Sequence, residues 1–153
     1  MNKPLTVHNF ENQLDHLFDR IRGVADIELQ SHWARYLCVV VSGYLETSIR
    51  EIFGAHVVPS ASRPVARYVQ AQLERFQNPN AQRTFDLVRA FDEDWARQLE
   101  TAAAGQIVDA VNSVNNNRNG IAHGRSVGIS YSVIRRYYED VKRFVAILLS
   151  LIP

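Results

Sequence analysis

Apolar residues recur every three or four positions along most of the chain, which is the spacing of one face of an α-helix. A first run of this kind ends near Gly23 and consists of Phe10, Leu14, Leu17, Phe18 and Ile21. A longer run extends from about Leu29 to His56, and its stripe is wide enough to face two neighbouring helices. Its apolar positions are Trp33, Tyr36, Leu37, Val40, Val41, Tyr44, Leu45, Ile49, Ile52 and Phe53. The pattern predicts an amphipathic first helix followed by a long core helix.

Proline and asparagine interrupt the helical pattern after the core helix. Pro59 ends that helix, and Ser62 followed by Pro64 is typical of the start of another one. This third segment presents one apolar face, formed by Tyr68, Val69, Leu73 and Phe76. The tripeptide Asn78-Pro79-Asn80 then breaks the chain again. We therefore predict a short third helix between two breaks.

The remaining sequence predicts further helices. A fourth stretch carries Phe85, Val88, Phe91 and Trp95, and we expect it to be interrupted or to restart around the acidic triplet Asp92-Glu93-Asp94, whose acids suit the positive end of a helical turn. A helix is predicted from Ala102 to about Asn119, and a last one from about Ser130 to Leu151. The apolar seam of the last helix is formed by Ile134, Tyr137, Val141, Phe144, Val145 and Leu148.

No strand pattern, internal repeat or long linker is present in the sequence. The fold predicted for residues 1–153 is therefore a single all-α domain, an up-and-down helical bundle with additional short helices in the middle. A length of 153 residues with 46% hydrophobic and 22% charged residues suits one globular domain and argues against disorder.

Charge and cysteine content narrow the function classes. The net charge of +1 argues against binding nucleic acid over the whole surface, so any such contact must be local. The single cysteine, Cys38, lies in an apolar run and excludes a disulfide framework, which favours a reducing, cytoplasmic setting. The amino terminus lacks a secretory signal, and no apolar stretch reaches the length of a membrane span, so no membrane partner is expected.

The segment from Asn115 to Arg125 is polar where a bundle helix should be apolar. Extending the seam of the preceding helix by one turn places Arg118 on the inward face, where a guanidinium costs free energy unless it meets an acid, a carbonyl or a bound anion. His123 follows five residues later, about 140° around an uninterrupted helix. We therefore expect the helix to end or bend between them. Gly120 and Gly124 bracket the histidine and permit that change of direction, so that both side chains reach one ligand.

Histidine transfers protons near neutral pH and arginine holds a phosphate with two donors, so the pair suits phosphodiester chemistry without a metal or another cofactor. The alternative is a polar helix end whose histidine is solvated. The other histidines show no ligand spacing with one another or with Cys38, so no metal site is expected.

The segment Arg118-Asn119-Gly120-Ile121-Ala122-His123 resembles the Arg-x4–6-His motif of HEPN domains, including a polar residue after the arginine. The core-helix segment from Val41 to Phe53 is similar to the long early helix of the prokaryotic HEPN branch that contains the RiboL-PSP and MAE_28990-like groups. The resemblance extends over the whole chain.

This resemblance implies a bundle that forms a homodimer, in which two Arg-x4-His motifs face each other across a cleft and cleave RNA without metal. His123 would activate the ribose 2′-hydroxyl or protonate the leaving oxygen, Arg118 would stabilise charge on the phosphorane, and Asn119 would orient the phosphate or the histidine. One toxin subfamily has a tyrosine two residues after the histidine. Arg125 stands there in this chain, which puts membership in that subfamily in doubt.

Several supporting residues are predicted around the motif. Glu46 is the candidate partner of Arg118, with a surface pair between Glu46 and Arg50 as the alternative. Arg135 and Arg136 on the last helix either guide an RNA backbone or form a solvated face. Tyr131 is a candidate for stacking on RNA bases, whereas Tyr137 fits the apolar core.

Two functions stay open at this stage. The leading hypothesis is a metal-independent endoribonuclease in a toxin–antitoxin or defence role, with RNA as substrate and a cognate antitoxin protein as a partner. The alternative is a non-catalytic HEPN-like module that binds nucleotides, RNA or another protein.

Overall fold

Seven α-helices and no strand make up the computed structural model, which describes all 153 residues. The helices are α1 (Leu5–Arg22), α2 (Ile27–Val57), α3 (Arg63–Glu74), α4 (Ala81–Phe91), α5 (Glu93–Ala103), α6 (Gln106–Ala122) and α7 (Tyr131–Leu151). The all-α prediction is confirmed. No helix combines the length and the hydropathy needed to cross a membrane.

Side-chain caps explain where several helices begin. The side chains of Asp26, Asn80, Asp92 and Ser130 each accept a hydrogen bond from the backbone N–H three residues later, at 2.8–3.3 Å. Asp92 alone separates α4 from α5, with an extended backbone, so the predicted restart at the acidic triplet is confirmed. Ser62 occupies the N-cap position of α3 but makes no side-chain cap bond.

The start of α6 differs from the prediction. Ala102 and Ala103 complete α5 instead of opening the next helix, and α6 begins at Gln106. Between them Gly105 has φ 80°, a left-handed conformation that turns the chain at little cost only because glycine has no side chain. The apolar pattern continues across this turn, which is why the sequence does not reveal it.

The helices α1, α2, α6 and α7 form the bundle, and their directions follow from contacts between them. Helices α1 and α2 form a hairpin, in which Gln30 Nε2 donates to Ile21 O at 3.4 Å near the turn. Helix α7 runs antiparallel to α1, because Tyr131 contacts Phe18 while Tyr138 bonds to Glu11 further back. Helix α7 is therefore parallel to α2.

Helix α6 runs antiparallel to both α7 and α2. A short connection, residues 123–130, joins α6 to α7, and the Cys38 thiol donates to Val114 O at 3.6 Å where α2 crosses α6. Because the two helices run in opposite directions, the carboxyl end of α6 lies at the same end of the bundle as the amino-terminal part of α2.

Tyr138, and not the predicted Tyr137, takes the aromatic core position of α7. The ring of Tyr138 is fully buried and stacks on Phe18 at 4.8 Å, and its hydroxyl donates to Glu11 O at 3.2 Å. Tyr137 is half-buried beside it. Both residues fit helical spacing, so the choice depends on the partner ring supplied by α1.

The three short middle helices attach to the outside of the bundle. Helix α3 packs against α2, whereas α4 and α5 form a pair that packs against α7 and α6. Aromatic contacts hold this pair in place, with Phe91 stacked on Phe53 of α2 at 4.4 Å and Phe85 beside Phe144 of α7 at 6.3 Å. The predicted arrangement of a bundle with short helices in the middle is confirmed.

Candidate functional site

The carboxyl end of α6 carries the polar segment singled out in the sequence. The helix continues without a break to Ala122, and His123 occupies the C-cap position. Gly124 has φ 68°, its N–H donates to Ile121 O at 3.0 Å, and Arg125 N–H donates to Gly120 O at 2.9 Å. This pair of bonds is a Schellman motif, which requires a left-handed residue and so favours glycine.

Gly120 lies inside the helix and serves close packing, not a change of direction. A Cβ atom on Gly120 would lie 2.9 Å from Val127 Cγ2, in the connection that folds back over the end of α6. The helix does end between Arg118 and His123, as expected, but only at Ala122 and without a bend at Gly120. The chain changes direction only after His123, so the end of the helix does not turn the two side chains towards each other.

The uninterrupted helix sends Arg118 and His123 in different directions. They lie five positions apart along the helix, which places their side chains about 140° apart around the axis. The His123 side chain is exposed and makes no hydrogen bond. Arg118 is half-buried, and its Nη1 makes one long contact of 3.5 Å with Asn119 Oδ1. The two side chains of one chain therefore diverge and do not converge on a single ligand.

Glu46 does not pair with Arg118, so that prediction is wrong. One carboxylate oxygen of Glu46 lies 3.0 Å from Arg50 Nη2, and the other accepts the backbone N–H of Asn78 at 2.7 Å. The alternative pair between Glu46 and Arg50 is confirmed. Arg50 also donates to Phe76 O at 3.0 Å and to Glu74 O at 2.9 Å, so both residues hold the connection between α3 and α4.

A chain of asparagines links this connection to the motif. Asn115 Nδ2 donates to Asn78 O at 2.9 Å, Asn119 Nδ2 approaches Asn115 Oδ1 at 3.3 Å, and Asn119 in turn contacts Arg118. We call Asn78, Asn115 and Asn119 the asparagine relay. It extends from Glu46, which holds Asn78 N–H, to Arg118.

Sequence reasoning missed two members of the relay. Asn115 is buried, with 6% exposure, and Asn78 has φ 50°, a left-handed conformation that asparagine tolerates better than most residues. The signal for Asn115 was present, because it lies one turn after Val111 on the buried side of α6, where an amide needs a partner. Nothing in the sequence indicated that the partner would be the carbonyl of Asn78.

Tyr131 and Arg135 are engaged with the core. The Tyr131 hydroxyl donates to Phe18 O at 2.9 Å, and burial raises the pKa of this phenol. Arg135 lies over the Phe18 ring at 5.4 Å and within 3.3 Å of Glu139. The Tyr131 ring also lies beside Phe18, with ring centroids 6.0 Å apart, and its stacking on a base stays a prediction.

Arg125 and Arg136 remain available to an anion. Arg125 is exposed and only its backbone is bonded, within the Schellman motif. Arg136 is exposed, lies over the Tyr137 ring at 5.5 Å, and has no carboxylate within ion-pair distance. Of the arginines predicted to contact RNA or support the site, these two have neither an acidic partner nor a buried guanidinium.

The charge of the chain is distributed unevenly around the site. Between Ala110 and Tyr138 the chain has four arginines and no aspartate or glutamate. The net charge of +1 therefore comprises +4 in this segment and −3 in the rest of the chain. This segment is therefore basic although the protein is nearly neutral, as a local contact with a polyanion requires. No group of three or more His, Cys, Asp or Glu side chains is placed to hold a metal ion.

A sequence model of the RiboL-PSP-HEPN family matches residues 9–152, nearly the whole chain. The chain belongs to this family. Comparisons with curated proteins and with solved structures found no match. In this RiboL-PSP-HEPN domain the Arg-x4-His segment spans the last turn of α6 and its C-cap, immediately before the connection to the final helix.

Proposed function

We propose that this HEPN protein is a metal-independent endoribonuclease that acts as a homodimer through a composite Arg-x4-His site. One observation carries the proposal: an exposed, unbonded His123 and an Arg118 with no acidic partner lie in a segment with a net charge of +4. HEPN domains often bind RNA and dimerise, in agreement with this assignment.

The proposed reaction needs one proton donor–acceptor and one fixed positive charge. His123 takes the proton of a ribose 2′-hydroxyl, whose oxygen attacks the adjacent phosphorus. The bond from phosphorus to the 5′-oxygen breaks, and that oxygen receives a proton, leaving a 2′,3′-cyclic phosphate and a 5′-hydroxyl. Arg118 stabilises the negative charge that develops on the phosphorane, and Asn119 holds the guanidinium or the phosphate in place.

The divergence of the two side chains supports a dimer. Arg118 and His123 of one chain leave α6 about 140° apart, so a phosphate between them is contacted by both only when a second chain contributes one of them. A two-fold axis beside the end of α6 generates two such sites, each with Arg118 from one chain and His123 from its partner.

The same divergence favours the second candidate function if no dimer forms. A single chain would then present a basic surface without a converging pair, which suits a non-catalytic module that binds RNA, nucleotides or a protein. We assign the nuclease to the cytoplasm, in toxin–antitoxin or defence biology, with a cognate antitoxin protein as partner. The family resemblance supports this biological role.

The decisive experiment measures RNA cleavage by the purified protein in the presence of a chelator. His123→Ala should abolish cleavage while leaving the circular dichroism spectrum unchanged, because the ring is exposed and contributes nothing to the core. Replacing the 2′-hydroxyl of the scissile ribose by hydrogen should also block the reaction, since that oxygen is the nucleophile. Wild-type rates from folded His123→Ala, or cleavage of all-deoxy substrate, would refute the mechanism.

Mixing two inactive variants tests the composite site. When Arg118→Ala and His123→Ala chains are mixed equally and exchange, half of the dimers are mixed and each contains one intact site. Activity should therefore return to about a quarter of the wild-type value. Each variant alone should stay inactive. If both residues acted within one chain, no mixture would recover activity, so that result would reject the composite arrangement.

A further inference from the structure

An apolar stripe lies exposed along the amino-terminal half of α2. Leu29, Trp33, Tyr36 and Val40 follow one another at intervals of four, three and four residues, so they share one face over about 16 Å. Leu29 is 48% exposed, Trp33 38% and Tyr36 51%, and Val40 is half-buried beside them. Trp33 and Tyr36 pack edge to face, with ring centroids 5.7 Å apart. We call these four residues the α2 stripe.

The α2 stripe lies at the same end of the bundle as the Arg-x4-His segment. Cys38 meets Val114 where α2 crosses α6, and the two helices run antiparallel. One turn towards the amino end of α2 therefore corresponds to one turn towards the carboxyl end of α6, which brings Ala34 to the level of Arg118. Trp33 precedes Ala34 directly and Tyr36 follows it by two residues, so the two exposed rings lie near this level.

The chemistry of this face selects its occupant. Residues 29–45 contain no acidic residue and only one arginine, Arg35, which bonds to His32 on the same helix. Single-stranded RNA on aromatic side chains needs cations that follow its backbone, and residues 29–45 supply only Arg35. A two-fold interface instead needs a patch that complements itself, and a nearly uncharged stripe with two aromatic residues at its centre meets that condition.

We infer that the α2 stripe is the surface through which two copies of this chain associate. Packing of the two stripes across a two-fold axis buries Trp33 and Tyr36 at the centre of the interface. Because the end of α6 lies at the same level, this packing also brings the two Arg118–His123 segments towards each other. The approach of the two Arg118–His123 segments rests on the proposed function, whereas the burial of the stripe between two chains does not depend on any reaction.

Sedimentation of matched variants tests the interface. Wild-type protein should sediment as a dimer at micromolar concentration, and Trp33→Glu combined with Tyr36→Glu should weaken self-association by about 100-fold, as expected for central aromatic residues. The control carries Val65→Glu and Tyr68→Glu on α3, which are 51% and 66% exposed, and should remain a dimer. Tyr36→Phe keeps the ring and should also remain a dimer.

Fluorescence gives a second readout at the same positions. The chain has two tryptophans, so Trp95→Phe leaves Trp33 as the only one. Its emission should shift to shorter wavelength as protein concentration rises through the dimer dissociation constant, because dimerisation removes the indole from water. In the Tyr36→Glu background the shift should disappear from the same concentration range.

Two outcomes would overturn the interface. They are a wild-type monomer at about 100 µM and an unchanged dimer in the Trp33→Glu, Tyr36→Glu variant. If the wild type is a monomer and the variant also loses binding to a non-cleavable RNA, the stripe is a base-stacking surface. Dimerisation through the stripe without RNA cleavage would instead refute the nuclease and leave the interface standing.

Discussion

Replacing Asn115 by alanine tests whether the asparagine relay stabilises the fold. The amide is buried at 6% exposure, and the change removes the 2.9 Å bond to Asn78 O together with the 3.3 Å contact to Asn119. Asn78 O keeps one long contact, at 3.4 Å from Arg83. Losing one good buried hydrogen bond and leaving its acceptor poorly satisfied costs about 1–3 kcal/mol of unfolding free energy.

Helix propensity partly offsets this loss and must be separated from it. Alanine is favoured over asparagine in a helix by about 0.5 kcal/mol. The matched control is Asn116→Ala, at the next position of α6, where the side chain is exposed and unbonded. This control gains the same propensity and loses no contact, so it should be neutral or slightly stabilising.

Urea unfolding followed by circular dichroism at 222 nm measures both variants. We expect Asn115→Ala to unfold at lower urea than Asn116→Ala, with equal dependence on urea concentration and a difference of about 1–3 kcal/mol. A difference below about 0.5 kcal/mol would show that Asn115 contributes no net stability and that the reasoning on buried amides fails here.

Two further predictions concern the end of α6 and the buried thiol. Gly120→Ala should destabilise the wild type, because its Cβ would lie 2.9 Å from Val127 Cγ2. In a Val127→Ala background the same change should stabilise the protein by about 1 kcal/mol through helix propensity. Equal effects in both backgrounds would contradict the close packing. Burial raises the pKa of Cys38 to about 12, so the folded state keeps its proton while the unfolded thiol ionises near pH 9. The free energy of unfolding should therefore be intact below pH 9 and decline between pH 9 and 12, as measured by urea midpoints. The decline should be smaller in Cys38→Ala, and identical pH profiles of the two proteins would contradict the role of the buried thiol.

The sequence predicted the bundle well because its helices are long and strongly periodic. The broad apolar stripe of the core helix, Pro59 after it and the acidic triplet that begins at Asp92 each act locally, so the sequence alone locates them. The choice of Tyr138 over Tyr137 depended on Phe18, which lies more than 100 residues away in the sequence. Spacing fixes a helix face only to within about one residue. The packing partner decides which of two neighbouring residues is buried.

The sequence located the Arg-x4-His segment at the end of a helix but did not predict the geometry of its side chains. The expected bend between Arg118 and His123 assumed that Gly120 breaks the helix, whereas contact with Val127 explains that glycine without a break. The expected partner of Arg118 was a carboxylate, and the structure places the amide of Asn119 there instead. Asn78, at the other end of the relay, lies in the connection between α3 and α4. The path of this connection depends on the tertiary fold, so helical spacing could not reveal the contact.

The asparagine relay contacts the Arg118 guanidinium without neutralising its charge. A carboxylate in direct contact would have held the guanidinium and cancelled most of its field at the same time. An amide carbonyl offers an acceptor without a formal charge, and the carboxylate of Glu46 is matched by Arg50 at the far end of the relay. Arg118 therefore remains a full positive charge at the end of α6, and its attraction for an anion does not compete with an internal ion pair.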